Sequence, residues 1–142
     1  MKGSVLASTK LEVEMIGIGI AVATVAGFIV SSVYYMVFMP LEQRVSQGHA
    51  IERAKPGVVQ IVSELVRTAV RATAFAWVAT QAGLLSLPSA LLLALVLWVA
   101  FPIVLLTGSV MWDKAPVATA VLHVGDWLIK LLLVALITAL IH

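Results

Sequence analysis

Between Glu14 and Glu42 the chain runs for 27 residues without a charged side chain. A helix needs about 20 such residues to cross a hydrocarbon core of about 30 Å. Met15 to Met39 is therefore read as a first membrane span, closed by Pro40. Residues 41–57 are polar, with Glu42, Arg44, His49, Glu52, Arg53 and Lys55, and form the only sizeable loop. Pro56 and Gly57 then introduce a second helix, predicted over 58–85. From Ala72 to Trp112 there are 41 uncharged residues, enough for two passes. Gly, Ser and Pro between Gly83 and Pro88 place the break between them. The third span is predicted over 89–112 with a kink at Pro102, and Asp113, Lys114 and Pro116 make the turn into a fourth over 117–141. The pattern predicts an all-α polytopic membrane protein, one domain over 1–142 built as a four-transmembrane-helix bundle.

Composition agrees with that reading. Apolar residues make up 62% of the 142, charged residues 11%, and the mean hydropathy is +1.11. Soluble domains carry about 25% charge, and a soluble fold of this size could not hide so much apolar surface. With no cysteine, disulfides and thiolate metal sites are excluded. Three scattered histidines and few carboxylates argue against a metal, and no cofactor is implied. A net charge of +2 is too small and too divided for nucleic acid. The first apolar stretch is longer than a signal-peptide core and is read as a span.

Lys and Arg in short loops set orientation. Lys2 and Lys10 lie on one side; Arg44, Arg53, Lys55 and Lys114, with Arg67 and Arg71 near the membrane, lie on the other. That bias predicts a plasma-membrane protein with its first and third loops cytoplasmic and both termini outside. The first span also carries Gly19, Ala23, Gly27 and Ser31, each four residues apart, a spacing that permits close backbone approach in lipid. Packing inside the bundle is the first reading of this stripe, a homodimer seam the second.

The informative feature is polar. The fourth span carries Thr119, His123, Asp126 and Lys130, and the second carries Gln60, Glu64, Arg67 and Arg71, both at spacings of four, three and four. Each set lies on one helical face. At 1.5 Å per residue, Asp126 is about 12 Å and Arg71 about 8 Å below the same boundary, which predicts an interhelical Arg71–Asp126 pair. Lys130 can also meet Asp126 one turn away, and His123 could relay a proton along the stripe. A lone charge at mid-membrane costs about 2.5–3.5 kcal/mol on the lenient scale, so pairing or water access is required. Glu64, Arg67, Arg71, His123, Asp126 and Lys130 form the predicted buried polar cluster, with Arg67 and Glu64 read as an ordinary interfacial pair. Tyr34, Tyr35 and Trp112 fit an interfacial aromatic belt; Trp77, Trp98 and Trp127 are read as packing in the bundle. Thr107, Gly108 and Ser109 could expose backbone near a cavity or simply pack. No Ser/His/Asp arrangement, phosphate loop or HExxH motif is present.

The run Leu97-Trp98-Val99-Ala100-Phe101-Pro102-Ile103-Val104-Leu105-Leu106-Thr107-Gly108-Ser109 resembles the third helix of a small bacterial membrane family, domain of unknown function 1761. So do the turn Asp113-Lys114-Ala115-Pro116 and the segment His123-Val124-Gly125-Asp126-Trp127-Leu128-Ile129-Lys130. Ser31-Ser32-Val33-Tyr34-Tyr35 and Glu64-Leu65-Val66-Arg67 extend the resemblance over nearly all of the chain after Met15. It implies a four-helix membrane protein without an assigned activity.

Three functions follow as expectations. The first is a non-enzymatic accessory or structural bundle held by buried polar contacts, with the lipid bilayer, a second copy or another membrane protein as partner. The second is a small proton-coupled carrier with a pathway along Arg71, Asp126 and Lys130. The third is an enzyme on a lipid-soluble substrate, for which His123 and Asp126 are the available acid–base groups.

Overall fold

A computed structural model describes residues 2–47 and 53–141 of the chain; His49 and Glu52 of the first loop lie outside the described residues. Four helices account for the described architecture. They are α1 (Lys2–Val45), α2 (Val58–Gln81), α3 (Leu87–Trp112) and α4 (Val117–Ile141). Of these, α1, α3 and α4 are long and apolar enough to cross a membrane. Helix α2 has the length, but Glu64, Arg67 and Arg71 fall within it and lower its hydropathy.

Helix α1 overruns the predicted span at both ends. Its 44 residues rise about 66 Å, twice the hydrocarbon thickness. Residues 3–15 are exposed throughout and are held helical by good helix formers such as Ala7, Lys10 and Leu11. Pro40 does not close the helix, contrary to the sequence expectation. Proline removes one backbone hydrogen bond and crowds the carbonyl four residues back, but Glu42, two residues further on, is fixed by side chains from two other segments and holds the last turn in place.

Helix α2 stops four residues before the expected end. Gly83 takes a positive φ of 66°, and the Leu84 N–H donates to the Ala79 carbonyl at 2.8 Å. This is the glycine-terminated cap that satisfies the last carbonyls of a helix. In α3 the expected kink at Pro102 takes the form of a π-helical turn over Val99–Ile103. The wider turn accommodates the proline ring and its missing N–H within a continuous helix, and Pro102 is fully buried.

Helix α4 is the centre of the bundle, packed against α1 and α3 along its length and against α2 more sparingly; α2 and α3 scarcely meet. The buried core consists of Ala23, Ala72, Phe75, Ala79, Ala90, Ala94, Leu131, Val134 and Ala135. Six of the nine are alanines, whose small side chains let the backbones approach where lipid provides no hydrophobic drive between helices. The small-residue stripe of α1 is used inside the chain. All four positions are buried, Gly19 faces Ile141 and Gly27 faces Thr68.

Candidate functional site

One register places the polar residues. Gly27 opposes Thr68, and Glu42 meets Arg53, so α2 runs antiparallel beside α1. Gly19 opposes Ile141 and Glu42 meets Thr119, so α4 is antiparallel to α1 as well. The polar face of α4 thereby lies against α1 along the half of the bundle that holds residues 31–42.

Each polar residue on that face has a partner on another helix. The Thr119 hydroxyl donates to Glu42 Oε1 at 2.5 Å, and Arg53 grips the same carboxylate at 2.6 and 3.2 Å. One turn deeper, His123 Nδ1 and the Tyr35 hydroxyl share a hydrogen bond of 2.6 Å. Next, the Ser31 hydroxyl donates to Asp126 Oδ1 at 2.5 Å. Lys130 Nζ then bridges Asp126 Oδ2 at 2.8 Å and Glu64 Oε1 at 2.6 Å. From Glu42 to Ser31 this ladder covers eleven residues of α1, about 16 Å. Beyond Lys130 the interface turns largely apolar: Gly19, Ala23, Ala72, Ala76 and Val134, with Thr138 as the one hydroxyl, line a void of only about 20 Å³.

The predicted cluster is thus brought together in part, with two corrections. Asp126 pairs with Lys130 and Ser31, whereas Arg71 lies with its guanidinium 4.2 Å above the Trp127 ring. Lys130 displaces Arg71 because it shares a helix with Asp126 one turn away and needs no interhelical reach. Arg67 is not buried; its side chain is 62% exposed and reaches Glu64 only at 3.7 Å. Asp126 and Lys130 are 5% and 3% exposed, Glu64 and His123 half-buried.

The aromatic assignments also change. Tyr34 and Tyr35 turn toward α4 instead of forming a belt, Tyr35 onto His123 and Tyr34 onto Gly125, where an added Cβ would collide with the Tyr34 hydroxyl. Trp98 packs as expected and donates to the Val124 carbonyl at 2.8 Å, while Trp77 is exposed. Gly108 meets nothing that would reveal a cavity wall. A cleft of about 460 Å³ does open between the end of α1 and the start of α4, lined by Tyr34, Phe38, Glu42, Val121 and Leu122 among others.

Sequence reasoning missed Glu42, which it left in the loop although its residue is only 4% exposed. It also missed Tyr35 as a partner of His123. A signal was present: Ser31, Tyr35, Phe38 and Glu42 continue the face of Gly19, Ala23 and Gly27 at helical spacing.

The motifs that carry these rungs agree with a family-wide match. The family model described as a protein of unknown function, DUF1761, matches residues 18–139. The chain belongs to the domain of unknown function 1761 family. Nearly all of the bundle lies within the matched residues, including Ser31, Tyr35, Glu42, Glu64, His123, Asp126 and Lys130. The family carries no assigned activity. No curated protein and no solved structure matches the chain.

Proposed function

We propose that this protein is a non-enzymatic accessory or assembly protein of the plasma membrane, in which the polar ladder fixes helix register. The observation that carries the reading is the Glu64–Lys130–Asp126–Ser31 chain. Every charge in it is bonded, and its central pair is almost fully sequestered. Buried polar contacts of this kind specify one arrangement of otherwise interchangeable apolar helices, and a lysine shared between two carboxylates avoids the cost of an isolated charge in lipid. The positive bias of Arg44, Arg53, Lys55 and Lys114 favours cytoplasmic first and third loops and external termini.

The Tyr35–His123 bond favours a second reading, a proton-coupled carrier, since it places a titratable imidazole between Glu42 and Asp126. Against it, the ladder ends at Lys130 and the remaining half of the α1–α4 interface is closely packed and apolar but for the Thr138 hydroxyl. Reconstitution into vesicles with an imposed pH gradient separates the two. The accessory reading expects proton leakage equal to that of protein-free vesicles. A proton flux that Asp126→Asn abolishes without loss of folded protein establishes the carrier.

A further inference from the structure

Glu42 and Thr119 touch across the antiparallel α1 and α4, and beside that contact the two helices part. The cleft of about 460 Å³ between them has an apolar wall on each side, Tyr34, Phe38, Leu41 and Val45 on α1 and Val117 and Val121 on α4. Its volume falls within the roughly 300–1,000 Å³ of small-molecule sites. Leu41, Val45, Val117 and Val121 are exposed, so the cleft is open along its side. Both walls belong to helices long and apolar enough to cross a membrane, where the surrounding medium is lipid.

Length and charge describe an occupant. From Val45 to Tyr34 the α1 wall covers eleven residues, a rise of about 16 Å. That matches one leaflet, half of a hydrocarbon core of about 30 Å. The rings of Tyr34 and Phe38, 4.7 Å apart, stand at the deep end. At the other end come Arg44, on the final turn of α1, and Lys114, in the turn that leads into α4. Both lie beyond the Glu42–Thr119 contact, on the same side of the membrane. Both are exposed, and neither enters an ion pair among the described residues. Glu42, the carboxylate on the cleft wall, does not compete for them, since its side chain is 1% exposed and held by Arg53 and Thr119. Asp113 adjoins Lys114, so Arg44 is the stronger attraction for an anion.

We propose that this cleft binds an anionic phospholipid, with one acyl chain laid between α1 and α4 and the phosphate met by Arg44 and Lys114. Basic residues at the ends of membrane helices attract anionic headgroups, and a guanidinium can meet a phosphate with two hydrogen bonds. A helix from a second copy or another protein would run on past the mouth; it does not account for a cleft one leaflet deep with its cations at the rim. Lipid here is compatible with either reading of the ladder, because Glu42 is the rung on the cleft wall.

The test uses the full chain reconstituted in phosphatidylcholine vesicles. The chain has no cysteine, so one fluorophore can be attached at Val37→Cys, an exposed position of α1 beside the cleft wall. Leu140→Cys, exposed near the far end of α4, is the control. The probes are phosphatidylglycerol and phosphatidylcholine with identical acyl chains, one of which carries a nitroxide quencher. At Val37→Cys phosphatidylglycerol is expected to bind at least about fivefold more tightly than phosphatidylcholine, the effect of one basic residue near the membrane surface. At Leu140→Cys the two should quench alike. Arg44→Gln should weaken the preference, and Arg44→Gln with Lys114→Gln should abolish it. Val121→Trp, which fills the cleft and leaves both cations in place, should abolish it as well. Because Arg44 and Lys114 are exposed, their variants test the proposal even where Val121→Trp does not fold. Equal quenching by the two lipids at Val37→Cys would overturn the proposal, as would a preference that survives the double charge variant. A preference that survives in folded Val121→Trp would overturn it too, by showing attraction to surface charge without a cleft. So would loss of quenching by both lipids as the protein is concentrated, the sign of a second copy covering the site.

Discussion

Lys130 on the last helix holds its Nζ 2.6 Å from Glu64 on the second, and the same ammonium lies 2.8 Å from Asp126. One cation therefore bridges two carboxylates that come from different helices. Removing it by Lys130→Met leaves both carboxylates without their ammonium partner. Breaking a buried ion pair from one side costs about 3–5 kcal/mol, and Lys130→Met is expected at the upper end of that range. Glu64→Gln, which leaves Lys130 with Asp126, should cost less. Adding Asp126→Asn to Lys130→Met should recover part of the loss, as read from thermal unfolding in detergent.

Gly125 tests the packing of α1 on α4. A Cβ there collides with the Tyr34 hydroxyl, and overpacking of this kind costs about 1–3 kcal/mol. Gly125→Ala should lower the unfolding midpoint, and Tyr34→Phe, harmless alone, should relieve most of that loss in the double variant.

How much of this was legible in the sequence depends on what each feature required. The uncharged runs located α1, α3 and α4 because membrane spans are fixed by length and hydropathy alone. The small-residue line from Gly19 to Ser31 was equally legible as a packing face. Which polar residue meets which was not: the choice between Arg71 and Lys130 as the partner of Asp126 depends on how far apart α2 and α4 lie, a tertiary quantity that spacing along one helix does not contain. Glu42 was hidden for a related reason. Pro40 ordinarily ends a helix, and only the grip of Arg53 and Thr119 shows that the last turn persists.

That grip has a consequence at the membrane boundary. Glu42 is buried and accepts hydrogen bonds from Arg53 and Thr119. Arg53→Gln should loosen the connection between α1 and α2 and increase tryptic cleavage after Arg44 severalfold, whereas Thr119→Val, removing a single hydroxyl donor to a charged group, should cost about 1.5–3 kcal/mol with a smaller effect on cleavage.

Orientation can be read by labelling. In otherwise cysteine-free protein, Ser46→Cys and Ala115→Cys should react with a membrane-impermeant thiol reagent only from the cytoplasmic side of inverted vesicles, and Gly83→Cys only in intact cells. The reverse pattern would overturn the assignment from loop charge.

The central claim is that the Asp126 network holds the bundle together. Thermal unfolding of Asp126→Asn in detergent tests it most directly. The substitution preserves shape but removes the charge that Lys130 and Ser31 address, and the account predicts a clear fall in midpoint, corresponding to about 2–4 kcal/mol for loss of a buried charged partner. A midpoint indistinguishable from that of the unaltered protein would contradict it.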